Sequence, residues 1–269
     1  MKADRIREVW ERGEVVLDAW ASGDSMLNAE TLGKAGFHSV LIDMQHSMTD
    51  FVGAARCIVA LGNTPAAALV RVPQNDWSII QRLLDAGADG VMIPMCNTPE
   101  EARKFVNAVR YPPQGERSYG LLRSTIPQDE YDETANSRIV TFVQIETPEA
   151  MENLDAIAST DGIDVIFHGP ADLNARFGGK PIMDYSDQST RDRHAQMRDA
   201  AHRAGKKFGM LVPGAEYVEA AVELGADFMS IAYERGLVIA GASAALAHAH
   251  GLTGTTNTAP KRPKGSPYA

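Results

Sequence analysis

Short, nearly continuous apolar runs alternate along the chain with longer stretches in which apolar positions recur every three or four residues. The runs are 15–20 (VVLDAW), 39–44 (SVLIDM), 66–72 (AAALVRV), 90–95 (GVMIPM), 139–145 (IVTFVQI), 164–168 (DVIFH), 207–212 (KFGMLV) and 228–233 (FMSIAY). Between them lie helix-length segments such as 76–87 (DWSIIQRLLDAG) and 98–110. Runs of this kind suit parallel strands covered on both faces. A weak repeat (KAGFHSVLID, DAGADGVMIP, RAGKKFGMLV, ELGADFMSIA) ends a helix on Gly36, Gly87, Gly205 or Gly225 and then begins a strand. Glycine suits the left-handed residue that terminates a helix. Thr98-Pro99 and Thr147-Pro148 read as a cap followed by the first helical residue. Eight such units in about 240 residues predict an α/β fold of the (β/α)8 TIM-barrel type rather than an open doubly wound sheet. The expected layout is one domain over 1–252, with 253–269 (TGTTNTAPKRPKGSPYA) a poorly ordered tail.

The 269 residues carry 26 Lys and Arg against 35 Asp and Glu, a formal charge of −9. That balance excludes the basic stripe needed to bind nucleic acid or an anionic membrane, while leaving room for a small anionic substrate. The N-terminal segment MKADRIREVWERGEVV is charged throughout, unlike a signal peptide. No apolar run is expected to approach the ~18 residues of a membrane span. Cys57 and Cys96 stand in no metal or redox spacing and are expected to be buried thiols of a cytoplasmic protein.

In a TIM barrel the chemistry sits at the C-terminal ends of the strands. Those ends carry Asp43, Gln45 and His46; Arg71; Gln144 and Glu146; and His168 and Asp172. Gln144 and Glu146 are two apart in a strand, so both point inward and Ile145 faces the helices. Glu146 and Asp172, on adjacent strand ends, suit a hard divalent ion completed by water and substrate oxygens. Each could instead cap the following helix. Arg71, in an apolar run, reads either as a salt-bridge partner of Asp43 or as a holder of a substrate oxygen. His46 is a candidate general base whose ring Asp43 could orient, or a packed histidine. His168 is expected beside the site rather than in it. The small residues Gly169 and Ala171 would let backbone N–H groups approach an anion, although a plain turn fits equally. None of the eight lysines (2, 34, 104, 180, 206, 207, 261 and 264) ends a strand, which argues against Schiff-base chemistry.

Taken together, LIDMQHS, VRVPQND, DAGADGVMIPM, RYPPQGERSYG, VQIETPEA and GPADLN resemble the HpcH/HpaI aldolase family, the class II pyruvate aldolases, over about residues 14 to 245. The resemblance implies a TIM barrel, commonly hexameric with an exchanged C-terminal helix. It implies cleavage or formation of 4-hydroxy-2-oxo acids through a pyruvate enolate, with Mg²⁺, Mn²⁺ or Co²⁺. By motif, Glu146 and Asp172 resemble the metal ligands and His46, assisted by Asp43, the base. Arg71 resembles the holder of the pyruvyl oxygen, Gln144 a polar neighbour of the metal, and Gly169 and Ala171 the donors to the pyruvate carboxylate. Asp85 resembles an acid reaching a neighbouring subunit's site, and Trp20 an aromatic at the pocket floor. The sequence departs from the family in Gln45, where glutamate is common, and in Ser118, where glycine is common. Arg117 and Arg123 could meet a distal acid group or be solvated loop charges. Other readings are a related enolate lyase or decarboxylase acting on oxaloacetate or acyl-CoA, and a non-catalytic binding barrel.

Overall fold

Eight parallel strands hydrogen-bond in chain order and close into a barrel: β1 (Val16–Ala21), β2 (Ser39–Asp43), β3 (Ala67–Arg71), β4 (Gly90–Ile93), β5 (Val140–Ile145), β6 (Val165–His168), β7 (Lys207–Leu211) and β8 (Phe228–Tyr233). This is the expected TIM barrel, and each strand falls within two residues of an apolar run. The computed structural model describes residues 2–120, 122–123, 131–181, 187–212, 214 and 217–255. Residues 256–269 of the expected tail lie outside the described residues.

Alternation along the strands divides the core into two shells. Val16, Trp20, Leu41, Leu69, Met92, Phe142, Phe167 and Phe228 fill the barrel interior. Ile42, Val70, Val143, Ile145, Ile166 and Met210 face outward against the helices. Ile145, between Gln144 and Glu146, therefore packs outside the barrel, as its position predicts.

The covering helices are α2 (Met26–Lys34), α3 (Phe51–Leu61), α4 (Trp77–Asp85), α5 (Pro99–Val109), α6 (Tyr131–Arg138), α7 (Pro148–Glu152), α8 (Leu154–Ala158), α9 (Pro170–Arg176), α10 (Gln188–Arg203) and α11 (Val218–Glu223). Thr98 forms a capping box with Glu101 at the start of α5, and the Thr147 hydroxyl accepts from the Ala150 N–H at the start of α7. Gly36, Gly87, Gly205 and Gly225 all take positive φ, between 70° and 110°, where the chain leaves a helix for a strand.

Two end segments hold features that the apolar runs did not announce. Residues Ala3–Glu11 form a helix, α1, whose Ala3, Ile6, Val9 and Trp10 are buried in the barrel's inner shell. The charges of this segment sit on its other face, so an amphipathic plug reads in sequence as a merely charged terminus. At the other end, Glu234–Thr253 form α12, which buries none of its residues. It is long and apolar enough to cross a membrane by length and composition. This corrects the expectation that no segment reaches that length; alanines, glycines and two histidines are interspersed among its larger apolar side chains.

Candidate active site

Inward-facing polar side chains gather at the C-terminal mouth of the barrel. Asp43 and Arg71 are register partners across β2 and β3. The Arg71 guanidinium donates through Nε to Asp43 Oδ1 at 2.9 Å and through Nη2 to Oδ2 at 2.7 Å. Its third nitrogen, Nη1, donates to Gln144 Oε1 at 3.4 Å. The same group stacks 4.6 Å above the Trp20 ring. This fork holds the guanidinium plane in one orientation, which a lysine could not do. Burial would raise the Asp43 carboxyl, but the adjacent Arg71 outweighs it and holds the group below the usual carboxylate range. The salt bridge anticipated for Arg71 is therefore real, and it orients the arginine toward Gln144.

Glu146 follows β5 directly and is 2% exposed. Its Oε1 accepts from the Met95 N–H at 2.7 Å. Met95, just past β4, is the one non-glycine residue with positive φ among those described, at 55°, and this turn aims its N–H inward. Burial pushes the Glu146 carboxyl up to about 7; the Asp172 charge adds to the rise, while Met95 and Arg71 oppose it. Asp172 stands in the first turn of α9, half-buried, close enough to Glu146 to repel it. A buried carboxylate raised by burial and by the second carboxylate facing it, with Gln144 beside them, forms a donor set a divalent cation would relieve. No group of three or more His, Cys, Asp or Glu side chains with metal-holding geometry occurs among the described residues. An ion here would take its remaining ligands from water and substrate.

Gly169 contributes space rather than a donor. Its N–H is bonded to the Ile145 carbonyl at 3.1 Å, and a Cβ on it would overlap Glu146 Oε2. The expectation that it donates to a carboxylate is thus corrected. Ala171 lies in the open first turn of α9, where helix geometry leaves N–H groups without an intrahelical acceptor.

His46 is exposed and lines the mouth. Asp43 does not orient its ring as anticipated: Asp43 Oδ1 accepts the backbone N–H groups of Gln45, at 2.9 Å, and His46, at 3.3 Å. The carboxylate is already occupied by Arg71, so it shapes the loop instead. The Gln45 side-chain carbonyl is buried without a hydrogen bond among the described residues.

Asp85 ends α4, at the opposite end of the barrel, and its carboxylate is paired with Arg117 at 2.7 Å. Within one chain it does not join the mouth. Arg117 is 2% exposed, bonded to the Tyr131 hydroxyl at 3.0 Å and stacked on Tyr111 at 4.4 Å, so it is neither a solvated charge nor a substrate contact in this chain. His168 is buried against α10, its Nδ1 2.8 Å from His194 Nε2. Burial, then the neighbouring His194, lowers it well below the ordinary histidine value.

Several residues escaped the sequence reading. Asp18 lies inside the barrel between the hydroxyls of Ser39, at 2.6 Å, and Ser230, at 2.7 Å. Burial raises it to about 8 despite those two donors. Its position two before Trp20 was the available signal, since the two must share a face. Tyr233 and Arg235 line the entrance. A larger cleft of about 740 Å³ between Gln74, Trp77, Met95 and Lys104 lies beside the mouth but contains none of the candidate catalytic residues. Among the described residues, no lysine lines the inner pocket or its entrance.

Comparison with known proteins agrees with this fold. The chain is 36% identical over 250 residues to a hydroxypyruvate/pyruvate aldolase of Rhizorhabdus wittichii, covering 93% of this chain and 100% of that protein. It is 35% identical to a 5-keto-4-deoxy-D-glucarate aldolase of Salmonella arizonae, covering 85% and 90% of the two chains. The crystal structure of an HpcH/HpaI aldolase from Desulfitobacterium hafniense superposes with a TM-score of 0.85 at 26% identity, over 93% of this chain and 98% of that one. The class is a carbon–carbon lyase on a TIM barrel, of aldolase type. Within it, the chain belongs to the HpcH/HpaI aldolase/citrate lyase family, which it matches over residues 17–241.

Proposed function

We propose that the protein is a divalent-metal-dependent aldolase that cleaves or forms 4-hydroxy-2-oxo acids, with one catalytic domain over residues 1–252. The observation that carries this is the clamped Arg71, held by Asp43 and Gln144 next to the facing pair Glu146 and Asp172. In this reading Glu146 and Asp172 hold Mg²⁺ or Mn²⁺, with Co²⁺ acceptable to the same oxygens. The ion supplies positive charge where the enolate oxygen develops.

The chain's own groups do the rest. The Ala171 N–H receives the substrate carboxylate, and Trp20 floors the pocket. Arg71 donates to the 2-oxo oxygen and stabilises it as charge accumulates. His46, directly or through a water, takes the C4 hydroxyl proton. The C3–C4 bond breaks, its electrons pass into the enolate, and the C4 fragment leaves as an aldehyde. Protonation at C3 gives pyruvate, and synthesis reverses these steps.

A homo-oligomer belongs to the same proposal, a hexamer by family resemblance, with α12 on a neighbouring copy and Asp85 approaching a neighbour's mouth. It is supported by the absence of buried residues on α12, whose Leu237, Val238, Leu246 and Leu252 are exposed. A cytoplasmic setting is supported by the two free, buried cysteines.

The test is pyruvate release from a panel of 4-hydroxy-2-oxo acids, with and without EDTA, then with Mg²⁺ or Mn²⁺ restored. Release that EDTA stops and metal restores is expected. Release indifferent to EDTA would break the metal part of the proposal, and no release from any substrate would break the aldolase part.

A further inference from the structure

We infer that Arg176 is a counter-cation for Glu146 and Asp172 that sets how tightly this pair holds its divalent ion. The inference rests on the metal reading above. Arg176 ends α9, the helix whose first turn carries Asp172. The two are four positions apart, so they lie on one face of that helix, a turn from each other. On its other side the Arg176 guanidinium approaches the Met95 sulfur, with Nη2 4.0 Å from Sδ. Met95 is the residue whose backbone N–H holds Glu146 Oε1. The arginine thus stands between the helix that bears one carboxylate and the turn that fixes the other.

Arg176 differs from the other arginines of this region in its freedom. Arg71 is committed to Asp43 and Gln144, and Arg193 to Asn174 and Thr190. Arg176 is exposed, and its hydrogen-bond contact among the described residues is that sulfur, a weak acceptor. Turning from the sulfur toward the carboxylates therefore costs little. Its charge already reaches Glu146: burial, the largest influence, raises that carboxyl, and Arg176 is among the groups that oppose the rise. With no ion bound, the guanidinium offsets part of the repulsion between the two carboxylates. A divalent ion brings two positive charges to the same oxygens, and Arg176 then repels it. Ion binding gives up the arginine's attraction to the pair, which lowers affinity and eases release. An exposed guanidinium withdraws into water without a desolvation penalty, so the effect falls on affinity and not on access.

Mn²⁺ binding to the full chain, without substrate, tests this apart from turnover; the free ion is followed by its electron paramagnetic resonance signal. At about 10 mM salt Arg176→Gln should bind Mn²⁺ about tenfold more tightly than the native protein, the size expected of a unit charge acting through a partly solvated gap. At about 0.5 M salt the difference should shrink to about twofold, because exposed charges are screened. Arg176→Lys keeps the charge and should stay near the native affinity. Arg203→Gln removes the same charge at the other end of the barrel, where α10 stops before β7, and should leave affinity unchanged. Unchanged or weaker binding in Arg176→Gln would overturn the assignment and leave the metal reading intact. So would a tightening that ignores salt, or one that Arg176→Lys or Arg203→Gln shows equally. A native protein that binds no Mn²⁺, or binds it as well after Glu146→Gln, would overturn both.

Discussion

Asp18 and Asp43 lie on adjacent strands, both point into the barrel, and both are fully buried. They end in opposite states. Asp43 meets a guanidinium and keeps its charge; Asp18 meets two serine hydroxyls and gives its charge up, its carboxyl rising to about 8. Hydroxyl dipoles do not offset the loss of hydration of a carboxylate, whereas a forked cation does. The barrel is thus divided along its axis. Its middle is neutral and serves closure, joining β1 to β2 and β8. Its mouth retains ions and serves chemistry.

The sharpest way to break that comparison is at the mouth's acidic pair. Glu146→Gln and Asp172→Asn should each lower pyruvate release by about a thousandfold or more, with melting temperatures little changed. Full activity in both would remove the functional distinction between mouth and middle. Next in size is Arg71→Met, which strands the Asp43 charge; denaturant unfolding should register a loss of about 3 kcal/mol. Adding Asp43→Leu should recover part of that stability and none of the activity. A single variant as stable as the native protein would mean the pair does not keep the charge in place.

The third effect is a pair of opposed pH profiles. Asp18 is neutral in the fold up to about 8 but ionised in the unfolded chain above its ordinary value of 3.8. Stability should therefore decline as pH rises between these two values, by up to about 1.4 kcal/mol per unit, and level off above them. Asp18→Asn should lack that decline. Asp43 has the reverse sign: its contribution is complete above 3.8 and is lost as pH falls through its depressed folded value. Asp43→Asn should lack only this acid limb. Melting temperatures across the range check both, and identical profiles for the two variants would sink the contrast. The smallest effect belongs to Trp20, which stands between the regions, under Arg71 and two residues above Asp18. Trp20→Phe should weaken the cation–ring contact by about 1 kcal/mol and raise the pyruvate KM a few-fold.

Much of this site was readable before folding. Gln144 and Glu146 announce themselves because a two-residue period inside an apolar run places both on one face. Arg71 stands out because an arginine there needs a partner. His46, Glu146 and Asp172 follow from the rule that barrel chemistry sits where strands end. What could not be read was the choice of partner. Asp43 was open to either the His46 ring or Arg71, and only strand register, which sets it opposite Arg71, decided for the arginine. Gly169 was open to a role as a backbone donor, because it and Ala171 are small, or to a plain turn, yet its N–H is taken up by β5. Arg117 was open to a distal acid group or a solvated loop position, yet Asp85 and two tyrosines enclose it.

The sequence by itself determined the order of strands and helices, their ends and the inward faces, because caps, glycine turns and side-chain alternation act between residues a few positions apart. The tertiary structure decided which charges survive. Barrel closure sets Asp18 beside Ser230, 212 residues away, and brings Arg71 to Gln144, 73 away. Burial and partners follow from that closure, and an ionisable group takes its state from burial and partners. The same closure makes α1 a plug and leaves α12 uncovered.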